Sequence, residues 1–98
     1  MNLPHCAQVL FSRHALERMF QRAIPTEAIT TLLAEGEVIA QYPDDQPYPS
    51  QLIFGRFQGE PIHAVVAHDS AANFCQIVTV YRPSSDVWNA DFKTRKKS

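Results

Sequence analysis

The spacing of apolar residues changes period once, at Gly36, and this change constrains the fold more than any other feature of the chain. Before Gly36 the spacing is helical; after it, apolar and polar residues alternate. Ala15, Leu16, Met19, Phe20 and Ala23 fall on one side of a helix that opens at Ser12, whose hydroxyl suits an N-cap. Pro25 turns Ile24 away from helical backbone, so this helix stops near Ala23. A second helix opens at Pro25 or Thr26 and runs to Glu35. Ile29, Leu32 and Leu33 form its apolar stripe, Glu27 complements its dipole, and Gly36 reads as its C-cap.

Alternation beyond Gly36 predicts strands over 37–42, 51–57, 62–68 and 74–81. The 43–49 loop carries Pro43, Pro47 and Pro49 with Asp44 and Asp45, and Gln58-Gly59-Glu60 is a tight turn. Short links make the last three strands an antiparallel meander. Val9 to Phe11 is a short extended lead-in, and Val87, Trp88 and Phe92 pack back onto the sheet. The expected fold is α+β, two N-terminal helices on one face of a mostly antiparallel sheet of about four strands. Clustered helices followed by clustered strands exclude a doubly wound fold. Residues 1–92 form the single domain, and 93–98 are a basic, disordered tail.

Ninety-eight residues with 45% hydrophobic and 19% charged content suffice for one core. No apolar run approaches the roughly 20 residues of a membrane span, and the start has no signal-peptide pattern. The expectation is therefore a cytoplasmic protein without a membrane partner. In that compartment Cys6 and Cys75 are expected as free thiols, partly buried among apolar neighbours; a single bridge between them stays open as the alternative, and a disulfide framework is excluded. The net charge of −1 hides an asymmetry. Lys93, Arg95, Lys96 and Lys97 are clustered at the end, leaving five basic against ten acidic side chains in the body, a net of −5. Such a body argues against a nonspecific nucleic-acid binder, while the basic end raises RNA affinity through counterion release.

Two groups of side chains carry chemistry. His14, Arg18 and Arg22 recur every four residues and form one helical ridge, in which an imidazole stands beside two permanent cations. That combination suits holding a phosphate and moving a proton near it; the plainer reading is a solvated charged face. Within the third strand His63, Val65 and Ala67 share a face; within the fourth, Cys75, Ile77, Thr79 and Tyr81 share one. Pairing of these strands brings His63 near Thr79 or Tyr81; otherwise His63 is a half-buried strand histidine and Tyr81 a core edge. His5, Cys6, His63, His68 and Cys75 are suitable metal ligands by type, yet no metal-ligand spacing occurs, and no metal or cofactor is expected. Glycine-rich phosphate loops and nucleophile elbows are absent.

His14-Ala15-Leu16-Glu17-Arg18-Met19 with Arg22 and Ile24, the Gly36-Glu37-Val38-Ile39 strand start, the Tyr42-Pro43 turn, Arg56-Phe57 with Gly59, Pro61 to Val66, and Ile77-Val78-Thr79-Val80-Tyr81 together resemble an uncharacterised bacterial family, domain of unknown function four-two-five-eight. The resemblance spans about residues 11 to 83. That family in turn resembles the RelE-like toxin superfamily in its order of elements. The resemblance implies the toxin-like component of a toxin–antitoxin pair, a metal-independent endoribonuclease that cleaves mRNA by 2′-OH attack on the adjacent phosphate. It implies a small zinc-finger or helix-turn-helix antitoxin as partner. On these residues His14 is then the leading acid or base, and Arg18 and Arg22 clamp the phosphate. His63, Thr79 and Tyr81 become secondary groups for proton transfer or orientation. The acidic body supports the alternative, a non-catalytic module of the same fold that binds a protein or an anion.

Overall fold

The computed structural model describes residues 2–97, so Met1 and Ser98, the two ends of the expected domain and tail, lie outside the described residues. Seven elements follow in order: β1 (Gln8–Phe11), α1 (Arg13–Gln21), α2 (Thr26–Glu35), β2 (Glu37–Tyr42), β3 (Ser50–Phe57), β4 (Glu60–Asp69) and β5 (Phe74–Tyr81). They form an α+β fold with a five-stranded mixed sheet in the order β1-β5-β4-β3-β2. The extra strand is the 8–11 lead-in, which pairs parallel with β5 through Val9↔Cys75 and Phe11↔Ile77. Four residues carry too little pattern to announce a strand; the neighbouring edge of β5 supplies the ladder.

Ser12 ends β1 and begins α1 with one set of atoms. Its N–H donates to the Ile77 carbonyl at 3.2 Å, and its Oγ accepts from the Ala15 N–H at 3.0 Å. The α1 C-terminus is closed by Ala23 in the left-handed region (φ 54°), with Ala23 N–H on the Phe20 carbonyl and Ile24 N–H on the Met19 carbonyl. This is a Schellman closure, and Ile24 packs down beside Met19 in the core. Gly36 is the C-cap of α2 but has φ −75°, not a left-handed value. A glycine is needed there for closeness: a Cβ would lie 2.5 Å from the Leu32 carbonyl oxygen and 2.8 Å from that of Phe54.

Ala15, Met19, Ala28, Ile29 and Leu32 of the helices meet Val38, Ile53, Ile62, Ala64, Val66, Ile77 and Val80 of the sheet. The expectation that Leu16, Phe20 and Ala23 share this core is corrected. Leu16 is 47% and Phe20 89% exposed, and Ala23 sits at the surface in the turn. α1 packs chiefly on β5, toward the sheet margin, and its buried residues are the single row Ala15 and Met19.

The expected free thiols are also corrected. Cys6 and Cys75 form a disulfide across 69 positions of sequence. The parallel β1–β5 pairing carries the residues before β1 back over Cys75, with a Cα–Cα distance of 5.4 Å. No helix among the described residues is long and apolar enough to cross a membrane.

Candidate functional site

The sheet has two differently furnished faces. One lies under the helices. On the other, cross-strand pairing aligns Leu52 with Val65 and Phe54 with His63. β4 and β5 pair as Val66↔Ile77 and then Val65↔Thr79, so Val78 is an extra residue in β5. This bulge reverses the alternation. Cys75 and Ile77 face the helices with Val80, whereas Thr79 and Tyr81 turn to the second face beside Val65 and His63. The expected common face for Cys75, Ile77, Thr79 and Tyr81 is thereby split.

His63 is fully buried on the second face. Its Nε2 is 2.7 Å from the Phe92 carbonyl oxygen, and its Nδ1 is 3.2 Å from Tyr81 Oη. A carbonyl only accepts, so Nε2 carries the proton and Nδ1 accepts from the Tyr81 hydroxyl. Phe54, Tyr81 and Trp88 meet the imidazole edge-to-face, with centroids at 5.8, 5.3 and 4.6 Å. Burial lowers the His63 pKa below its ordinary 6.5, opposed by the Phe92 carbonyl, so the ring is neutral at pH 7. Burial raises that of Tyr81 above 10, Tyr42 adds to the rise, and Arg95 opposes it. Tyr81 is therefore a phenol at neutral pH.

Residues after β5 build the outer wall. Trp88 and Arg95 form an antiparallel bridge, with Lys96 N–H on the Val87 carbonyl and Asn89 N–H on that of Thr94. Asp91 holds the turn by accepting from the Lys93 and Thr94 N–H groups, and this pairing lowers its pKa. Of the three residues expected to pack back onto the sheet, Trp88 is buried and Phe92 half-buried, whereas Val87 is corrected to the surface, 43% exposed. Within the segment read as a basic tail, Lys93 Nζ lies 2.9 Å from Glu37 Oε1 and Arg95 stacks 5.4 Å from the Trp88 ring. Arg56 lies over both Phe54 and Phe92. A cavity of about 240 Å³ opens here, with Tyr42, Val65, Tyr81, Trp88, Lys93 and Arg95 among its lining residues.

The six expected site residues thus divide into two groups. His63 and Tyr81 are in direct contact, and Thr79 shares their face. His14 and Arg18 belong to α1 and Arg22 is its C-cap, in the layer that covers the opposite face. His14 and Arg18 are exposed. Arg22 donates from Nη1 to the Val80 carbonyl at 2.6 Å, and Ser12 Oγ donates to that of Val78 at 3.3 Å. Both cap the stretch of the β5 edge that β1 does not reach. Tyr42, Arg56, Trp88, Phe92, Lys93 and Arg95 were not read as site residues. Two aromatics and two cations within eight residues, Trp88, Phe92, Lys93 and Arg95, are the signal for four of them, whereas Tyr42 and Arg56 carry none.

Among the described residues no group of three or more His, Cys, Asp or Glu side chains is arranged to hold a metal ion. Comparison with curated proteins and with solved structures finds no match. The family model described as Domain of unknown function (DUF4258) matches residues 11–82, from the end of β1 through all of β5, and the chain belongs to that family.

Proposed function

We propose that this protein is a toxin-like endoribonuclease, of the RelE-like kind and held in check by an antitoxin, that binds RNA on the second sheet face with Tyr81 as its proton-transferring group. The observation that carries this reading is the Tyr81 hydroxyl, hydrogen-bonded to a buried neutral histidine at the wall of a cavity that also presents Arg95. Interleaved aromatic and cationic side chains suit stacked bases and a phosphate backbone. In the reaction the RNA 2′-OH passes its proton to Tyr81 Oη while Tyr81 passes its own to His63 Nδ1. The 2′-oxygen bonds to phosphorus, the bond to the 5′-oxygen breaks, and that oxygen takes a proton from water. A 2′,3′-cyclic phosphate and a 5′-hydroxyl remain. The His63 imidazolium keeps its Nε2 proton on the Phe92 carbonyl and returns the other through Tyr81 to solvent. Arg95 offsets charge on the phosphate in the transition state. His63 acts through Tyr81 and is a positioning residue.

Induced expression in a bacterial host, following growth and mRNA integrity, tests this reading. Wild type and His14→Ala should both arrest growth with loss of mRNA, and Tyr81→Phe should not. Normal growth with wild type at a matched soluble level would refute it. Arrest by Tyr81→Phe but not His14→Ala would move the chemistry to the α1 ridge.

One observation favours a second reading, a protein-binding module without turnover: Phe20 is 89% exposed, one helical turn from the exposed Leu16. Co-expression with whatever small reading frame sequencing finds beside the gene tests it. Co-purification that is lost in Phe20→Gln, with RNA left intact by the wild type, would support it.

A further inference from the structure

We infer that the Cys6–Cys75 disulfide is a redox latch that decides whether β5, the strand bearing Tyr81, is an interior or an edge strand. β1 is four residues long and, among the described residues, is the only strand on the outer side of β5. Besides the disulfide, the segment before it is held by Ala7 N–H on the Asn73 carbonyl at 2.9 Å, His68 Nε2 at 3.0 Å from the His5 carbonyl oxygen, and Leu3, half-buried against the core. This segment also walls an open groove of about 540 Å³, in which Pro4, His5 and Cys6 face Ile29 and Leu33 of α2. Such a groove leaves the segment without close packing on one side.

The two sulfurs differ in access. Cys75 is fully buried, and Cys6 is partly exposed. A dithiol reductant therefore attacks Cys6 Sγ, and Cys75 leaves as the thiolate and takes a proton. The second thiol of the reductant then resolves the mixed disulfide and frees the Cys6 thiol. The reductant ends as a disulfide, having supplied the two electrons. Once the bond is broken, the 2–11 segment keeps its short ladder, two hydrogen bonds and the edge packing of Leu3, Val9 and Phe11 but no covalent tie, and it opens away from β5. The unlatched chain keeps its core, because the helices and β2 to β5 contribute all but one of its buried members without Cys6.

Hydrogen–deuterium exchange on the full chain, oxidised and after dithiothreitol, tests the latch. In the reduced wild type, exchange across 8–11 and 74–77 should quicken by roughly tenfold or more, while α2, β3 and β4 keep their protection. Cys6→Ser should show the same fast pattern with or without reductant. Unchanged exchange at 8–11 and 74–77 would overturn the proposal. So would global loss of protection on reduction, which would make the bond a structural staple. Alkylation of both cysteines in the folded, air-oxidised protein would also overturn it.

Discussion

Tyr81 donates its hydroxyl hydrogen to Nδ1 of His63 across 3.2 Å, and the roles are fixed because Phe92 engages the opposite ring nitrogen. Replacing Tyr81 by Phe leaves a buried nitrogen without a donor, which costs about 1 to 2 kcal/mol. A lower urea midpoint with unchanged circular dichroism is the expected result. The aromatic packing survives, so the fold should persist, and the proposed function expects Tyr81→Phe to leave RNA intact.

His63 also makes stability pH-dependent. Its pKa is below 6.5 when folded and near 6.5 when unfolded. As pH falls below 6.5 the unfolded chain takes up a proton that the folded chain refuses, so stability declines until the lower, folded value is passed. Above 6.5 this contribution is fully present. Urea midpoints measured from pH 5 to 7.5 should rise with pH in the wild type, and His63→Asn should flatten that rise.

Arg18 and Arg22 separate structure from surface chemistry. Arg22→Ala strips the cap from the Val80 carbonyl and should cost about 1 to 2 kcal/mol in thermal or urea unfolding. Arg18 is exposed and, among the described residues, its side chain bonds only Gln21, at 3.5 Å, so Arg18→Ala should change stability by no more than about 0.5 kcal/mol. Any loss of RNA cleavage in Arg18→Ala then reports on function.

Two backbone positions should respond oppositely to the same exchange of a methyl group. Ala23→Gly relieves a left-handed alanine and should stabilise by about 1 kcal/mol, seen as a higher Tm. Gly36→Ala drives a Cβ into two carbonyl oxygens and Ile53 Cγ2, none at the end of a flexible chain. It should cost about 1 to 3 kcal/mol.

The two helices, the four strands from 37 to 81 and the α+β class are local matters, written in side-chain period, and the sequence by itself determined them. So is the return of Trp88 to the sheet, since an indole gains by burial wherever a sheet face is open. Tertiary structure alone decided the rest. One unpaired residue, Val78, turned Thr79 and Tyr81 to the face of His63, and alternation contains no mark of a bulge until a partner strand sets the register. The margin position of α1 left Phe20 in solvent and gave Arg22 a backbone carbonyl to hold. β1 found its ladder, and Cys6 its partner, only because a parallel pairing joined the first residues of the chain to its last strand. Such contacts between distant residues leave no period in the sequence, so they exist only once the sheet has assembled.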